Sequence, residues 1–360
     1  MKELELDIAG MTCDHCAASI EKNLSKLKGI QKADVSYPKG KAIVAFDDST
    51  LDKASVIEAV NQTGKYHVVG ESGKEQSGEN HHSLIIIGGG SAAFAAAIRT
   101  SELGGTALII NKGLPTGGTC INVGCVPSKT LIRTAEAFHN ASRPRFEGIE
   151  TTATISDFKK VIEQKREMVR DLRQEKYVNV IKDDPNITLI EGYGKLTQAN
   201  QVEVNNSIYT AENILIATGA SPFIPEIPGL KEAGYLTNES AYELEDLPKE
   251  LVILGGGYIA LENAQLFSRL GSRVTVLQRS EHVLSDQPKE LATALTGYLE
   301  GEGLTILTNT DILEVTKSDK KRSIRFTVKG EKRELEADQI LVATGRQGNT
   351  ENLNLEYAGI

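Results

Sequence analysis

Four cysteines stand in this chain of 360 residues, and they come as two close pairs: Cys13 and Cys16 in "GMTCDHCAAS", Cys120 and Cys125 in "GGTCINVGCVPSK". A thiolate is at once a nucleophile and a soft metal ligand, so a close pair can exchange with a disulfide or hold a thiophilic ion between two sulfurs. The C-x-x-C spacing of the first pair suits a two-coordinate soft metal and serves copper(I), zinc and mercury(II) alike. Each pair runs into a stretch of helical period, "AASIEKNL" and "VPSKTLIRTAEAF", and the positive end of a helix dipole stabilises a thiolate near its start. The blander reading is a structural cross-link, but a bridge closing so short a loop adds little stability. His15, between the first two cysteines, reads as a loop residue rather than a third ligand.

Elements must position these thiols. Residues 1–68 read as strand, helix, strand, strand, helix, strand: "ELELDIAG" alternates, "CAASIEKNLSKLKG" has helical period, "ADVSYPKGKAIVAF" makes two strands around a turn, and "LDKASVIEAVNQTG" is a second helix. This is the βαββαβ order of a small ferredoxin-like domain. The stretch 69–83, "GESGKEQSGENHHS" in its main part, is nearly free of apolar side chains and is expected to be a flexible linker, His81 and His82 included.

From Leu84 an apolar strand, a glycine turn, an Ala-rich helix and a second strand, "LIIIGGGSAAFAAAIRTSELGGTALIIN", open a doubly wound dinucleotide fold, and the unit recurs in "LVILGGGYIALENAQLFSRLGSRVTVLQRS". The fold class is α/β, with the ferredoxin-like domain followed by two Rossmann-like domains at 84–225 and 226–346. Between the two units, "TISDFKKVIEQKREMVRDLRQEKY" reads as one long charged helix. "AENILIATGASP" and "ADQILVATGRQGN" are each expected to finish a layer of sheet.

In the first unit Gly88 permits the tight turn, Gly90 lets the backbone approach a pyrophosphate, and Ala93 allows the helix to pack closely. The helix N-terminus offers free N–H groups to the phosphates. The second strand ends at Asn111, where a carboxylate ordinarily takes the ribose hydroxyls. The amide implies an altered ribose contact with the site retained. In the second unit the fingerprint is Gly255, Gly257 and Ala260, and the strand ends in Gln278 and Arg279. The missing carboxylate and the added cation favour NADPH over NADH, unless Arg279 is an ordinary surface charge.

Composition narrows the function classes. A net charge of -9 and a pI near 5.4 with no basic cluster argue against a nucleic-acid partner. The N-terminus lacks the apolar core of a signal peptide, and no run approaches the roughly 18 apolar residues of a membrane span. The expected location is cytoplasmic, where paired cysteines are redox or metal devices rather than staples.

The string "GGTCINVGCVPSK", the two glycine fingerprints, "ATGA" and "ATGR" together resemble the flavin-dependent pyridine nucleotide-disulfide oxidoreductases, over about Leu84 to Ile360. The domain carrying "GMTCDHCAAS" resembles the heavy-metal-associated domains of metallochaperones and metal pumps. Their join resembles those members of the family that reduce mercury(II), acting in the cell on mercury(II) thiolates. The resemblance implies FAD in the first unit, contacted also by Gly118, Thr119, Thr218 and Gly219, and NADPH in the second, contacted also by Gly345 and Arg346. It implies a Cys120–Cys125 redox disulfide, with Cys125 against the flavin and Cys120 as the outer thiol. Lys129 is expected at the flavin N5 edge with Glu262 as its ion-pair partner, and Tyr258 over the flavin until nicotinamide displaces it. Mercury(II) is expected to be captured by Cys13 and Cys16 and reduced at Cys120 and Cys125.

The resemblance further leads one to expect, beyond residues 347–360, a C-terminal portion with a second flavin-contacting segment, a homodimerisation domain and another cysteine pair, and little turnover without it. Two other functions fit the same motifs. One is a dihydrolipoamide or glutathione-type disulfide reductase with an accessory metal domain; the other is a soft-metal carrier with a vestigial flavoprotein body.

Overall fold

A computed structural model describes residues 2–47, 50–62, 65–71, 80–143 and 146–360. The chain divides into two compact units, Met1–Glu79 and Asn80–Ile360. In the first, β1 (Lys2–Ala9), α1 (Asp14–Leu24), β2 (Ile30–Ser36), β3 (Lys41–Phe46), α2 (Lys53–Asn61) and β4 (His67–Glu71) follow one another, and the sheet order is β2-β3-β1-β4. All its pairings are antiparallel. Leu4, Leu6 and Ile8 are buried at the period of two that a half-covered strand requires. They meet Ile20 and Leu24 of α1 and Val56 and Val60 of α2 in one core. Asp52 caps α2 by accepting from Ser55 N at 2.7 Å.

The second unit contains β5 (His81–Ile87), α3 (Ser91–Glu102), β6 (Ala107–Asn111), α4 (Gly118–Asn122), α5 (Cys125–Ser142), α6 (Phe158–Arg173), α7 (Asn179–Ile181), β7 (Ile187–Glu191), β8 (Lys195–Gln198), β9 (Gln201–Val204), β10 (Ser207–Ile216) and β11 (Ala220–Pro222). It continues through α8 (Leu230–Ala233), α9 (Asn238–Ala241), β12 (Glu250–Leu254), α10 (Tyr258–Arg269), β13 (Arg273–Leu277), α11 (Lys289–Gly301), β14 (Thr305–Leu307), β15 (Thr310–Ser318), β16 (Lys321–Val328), β17 (Glu331–Ala337), β18 (Gln339–Val342) and β19 (Arg346–Gly348).

Its strands form a six-stranded sheet β7-β6-β5-β10-β9-β8, a four-stranded sheet β14-β13-β12-β18, the meander β15-β16-β17 and the ribbon β11-β19. In the first two sheets the chain winds outward to one side, then returns to pair β10 against β5 and β18 against β12, in parallel. Each return creates a switch point at the carboxyl ends of the strands, where open α/β sheets bind ligands. All five residues of β6 are buried, as a strand covered on both faces demands.

Two expectations are corrected here. His81 and His82 are not linker: β5 begins at His81, which is in register with Thr210 and meets its Oγ1 through Nδ1 at 2.9 Å. Polar residues at the open end of a parallel strand hid it. Likewise β4 extends to Glu71; residues 72–79 of the expected linker lie outside the described residues. The long charged helix is capped by Asp157 and stays α-helical only to Arg173, after which Gln174–Val178 widen into a π-turn, a feature that often marks functional sites. Residues 347–360 pack back on the first sheet: Leu353 joins its core, and Leu196 N donates to Leu353 O at 2.9 Å.

Candidate functional site

The first thiol pair straddles the start of α1. Cys13 is its extended N-cap residue and Cys16 lies in the first turn, so the sulfurs come within 3.7 Å. Thr12 contributes its backbone N–H and its hydroxyl, each 3.5 Å from Cys16 Sγ. The Cys16 thiol is lowered to about 6, chiefly by a hydrogen bond from Tyr66, then by the two Thr12 contacts. That bond in turn raises Tyr66. Near neutral pH Cys16 is therefore mostly thiolate, the form that binds soft metals.

The second pair is set by a loop that only glycine can make. Gly117 and Gly118 have φ of 99° and 64°, a left-handed step that side chains resist. A Cβ on Gly118 would stand 2.6 Å from Gly90 Cα, so the redox loop rests directly on the phosphate loop. Gly117 N donates to Gly89 O at 2.7 Å. Cys120 then lies in α4, and Cys125 is the first residue of α5. Pro127 sits in that helix's first turn, where its missing N–H is no loss. Asn122 ties the loop closed, donating to Pro115 O and Gly118 O at 2.8 Å each while Arg173 holds its Oδ1 at 2.9 Å.

All four cysteines are free thiols. Cys125 is exposed; Cys120 is half-buried and its thiol is raised, first by hydrogen bonding to the Cys125 thiol, then by burial and the Cys125 charge. The helix-dipole stabilisation expected for this pair thus does not govern Cys120. Tyr242, close enough to feel the charges of Glu262 and Cys125, is pushed up to about 12 chiefly by burial, and its hydroxyl accepts from Asn263 Nδ2 at 3.2 Å.

A cavity of about 890 Å³ opens at the switch point of the first sheet, lined by the phosphate loop, the redox loop and the end of β10. Gly88, Gly90, Asn111, Gly118, Thr119, Cys120, Thr218 and Gly219 all line it. Ala93 is fully buried between α3 and the sheet and supports the loop from behind. A second cavity of about 620 Å³ is lined by Gly255, Gly257, Tyr258, Arg279 and Gly345. Ala260 is buried behind it, and Tyr258 is 57% exposed at its mouth. Arg346, expected among the NADPH contacts, lines neither cavity; it sits in β19 with its guanidinium on Ala220 O. Lys129 Nζ donates to Glu262 Oε1, joining α5 to α10. Asn238 lines the second cavity and donates to Val123 O, between the redox cysteines, at 3.0 Å.

Residues 82–360 match the pyridine nucleotide-disulphide oxidoreductase family and residues 5–66 the heavy-metal-associated domain. The chain belongs to the pyridine nucleotide-disulphide oxidoreductases. It is 38% identical to a mercuric reductase of Lysinibacillus sphaericus over 100% of its own length and 66% of the relative's. Mercuric reductases of Staphylococcus aureus and Bacillus cereus are also 38% identical, with 65% and 58% of their lengths covered. The chain thus spans roughly three fifths to two thirds of these relatives. Among solved structures it resembles the HOCl-induced flavoprotein disulfide reductase RclA from Escherichia coli in its Cu(II) complex. The TM-score is 0.69 at 31% identity, over 78% of this chain and 60% of that one.

The first cavity fits a bound dinucleotide. It lies within the range of about 300–1,000 Å³ usual for such ligands. Among the described residues other than chain neighbours, only Gly118 Cα stands within 4 Å of where a Cβ on Gly90 would be, and none does at Gly257, so in both Rossmann-like domains the backbone is open to close approach. Sequence reasoning missed several side chains around these sites. Tyr66 and Thr12 serve Cys16. Tyr177, on the π-turn, meets Ser91 Oγ at 2.8 Å at the start of α3 and packs edge-on against Phe94. Asn349 Nδ2 donates to Thr218 O at 3.0 Å, and the Asn349 backbone O accepts from Thr218 Oγ1 at 2.6 Å. Ser91 alone carries a signal, its place inside the glycine fingerprint at the first residue of the helix.

Proposed function

We propose that the protein, at the length of its relatives, is an NADPH-dependent flavoprotein that reduces mercury(II) to elemental mercury. One observation carries this reading. A surface thiol pair with an acid-shifted cysteine is joined in one chain to a second pair of which Cys120 lines a dinucleotide-sized cavity, in a sequence 38% identical to mercuric reductases across its length. The reaction balances as Hg(II) + NADPH giving Hg(0) + NADP+ + H+.

In this reading Cys13 and Cys16 capture mercury(II) and pass it on by thiol exchange to Cys120 and Cys125. Those two sulfurs hold the ion, and after two electrons reach the metal they remain as thiolates while the neutral atom departs. Gly88, Gly90, Gly118, Thr119, Thr218 and Gly219 hold FAD, with the N-terminal N–H groups of α3 toward its pyrophosphate. When bound, FAD supplies the two-electron relay between nicotinamide and the cysteine pair. Gly255, Gly257 and Gly345 hold NADPH, and Arg279 meets its 2'-phosphate. Tyr258 covers the approach until nicotinamide displaces it, and Glu262 fixes the Lys129 ammonium for the flavin edge. A homodimer in the cytoplasm completes the proposal.

The likeness to RclA favours a second reading, a disulfide reductase. An anaerobic spectrum separates the two: NADPH is added to the purified flavoprotein, then mercury(II), and in a parallel cuvette a small disulfide. Return of flavin colour with mercury(II) and release of Hg(0) vapour supports the first reading. Return with the disulfide alone supports the second. Mercury binding with no NADPH oxidation would make the protein a soft-metal carrier.

A further inference from the structure

The end of β6 is where a doubly wound fold normally places the carboxylate for a ribose, and this chain has Asn111 there. Asn111 is 3% exposed, and its amide is already engaged. Nδ2 donates to Leu114 O at 3.1 Å and to both carboxylate oxygens of Glu191, at 3.2 and 3.4 Å. Its Oδ1 lies over Gly89, where a Cβ would stand only 2.3 Å away. Both amide hydrogens are spent, and the oxygen is turned to the backbone.

Ribose hydroxyls donate best to a carboxylate. Glu191 ends β7, the neighbouring parallel strand, directly in register with Asn111 and at the same carboxyl edge of the sheet. The next three residues, Gly192, Tyr193 and Gly194, line the first cavity alongside Asn111 and Lys112. The Glu191 side chain is exposed, and its hydrogen-bond contact is the amide of Asn111. A carboxylate has about four acceptor sites, and one shared amide hydrogen leaves most of them open.

We infer that Glu191 supplies the carboxylate for the adenosine ribose of the dinucleotide in the first cavity, with Asn111 as the positioning residue that aims it. The acid has moved one strand along the sheet, and the amide in its old place orients it. The inference rests on the reading that this cavity binds FAD.

The test is equilibrium binding to the purified chain. FAD is followed by fluorescence quenching, and ADP and 2',3'-dideoxy-ADP by competition. In the wild type ADP is expected to outcompete the dideoxy form by roughly tenfold, the scale of a hydrogen bond to a charged group. E191Q keeps the size and the fold, verified by an unchanged melting temperature, but loses that preference and binds FAD roughly tenfold more weakly. N111E/E191Q returns the acid to β6 and restores the preference. Wild-type discrimination retained in E191Q overturns the inference, even if overall affinity drops, because Glu191 then acts only on the strand end. A wild type that binds neither FAD nor ADP overturns the cofactor reading and this inference with it.

Discussion

The two thiol pairs use the same chemical group in opposite electrostatic settings. At Cys13 and Cys16 the donors Tyr66 and Thr12 converge on one sulfur and lower it to about 6. At the second pair the Cys120 thiol is raised, first by hydrogen bonding to the Cys125 thiol. The first setting holds a ready anion in water, suited to catching a cation from a dilute pool. The second holds the proton on Cys120, whose thiol is raised by its neighbour and by burial. Helix position alone does not decide this, since both pairs lie at helix starts; the count of hydrogen-bond donors does.

If this contrast reflects a division of labour, turnover belongs wholly to the second pair. Cys120→Ala or Cys125→Ala in the flavoprotein is expected to lower mercury(II)-dependent NADPH oxidation by about a thousandfold or more, the usual scale for removing a reacting group, while bound flavin stays near stoichiometric. Activity within tenfold of the wild type in either variant would remove the central claim.

The next test compares the pairs directly through pH. Iodoacetamide alkylation, resolved peptide by peptide, reads the thiolate fraction of each cysteine. With its thiol at about 6, Cys16 is about nine tenths ionised at pH 7, so its rate stays nearly flat from there to pH 9 and falls below pH 6. Cys120, raised above the ordinary thiol, climbs by about tenfold per pH unit over the same interval. Parallel profiles would erase the contrast.

Much of this arrangement is legible in the sequence because it is contiguous. Each thiol pair, each glycine turn and the helix after it fall within a short stretch, so spacing alone places Cys120 beside Gly118 and Gly90 at a helix start. What escapes is whatever arrives from a distant strand. Glu191 reaches Asn111 across 80 positions, Asn238 reaches Val123 across 115, and Asn349 reaches Thr218 across 131. Parallel sheets pair strands that are remote in the chain, and no local period announces the partner. The linker ends fail for the opposite reason: "HHS" is polar as composition, yet its backbone pairs with β10. Arg346, expected among the NADPH contacts, instead has its guanidinium on Ala220 O of the β11 ribbon, a partner 126 positions away that no local spacing reveals.

A subtler change sharpens the comparison from the other side. Tyr66→Phe removes the largest single contribution to the Cys16 shift while leaving the ring in the core of the small domain. The alkylation midpoint of Cys16 is expected to rise by about one pH unit, with Cys120 unchanged. A midpoint that stays put would mean that Thr12 and the helix start suffice, and that the tyrosine is only packing.

The smallest effect is expected where the first pair is removed altogether. In a purified assay with excess small thiol, mercury(II) reaches the second pair already bound as a thiolate complex and exchanges with it directly, so Cys13→Ala combined with Cys16→Ala costs less than about twofold in rate. The exchange step needs a thiolate that binds and releases quickly, and the small thiol supplies one as well as Cys16 does. The difference should widen as the small thiol is withdrawn and mercury(II) is made scarce, because the acid-shifted Cys16 is then the nearest anion able to hold the ion. A complete loss of turnover with thiol in excess would contradict the division, and would place the surface pair inside the reaction itself.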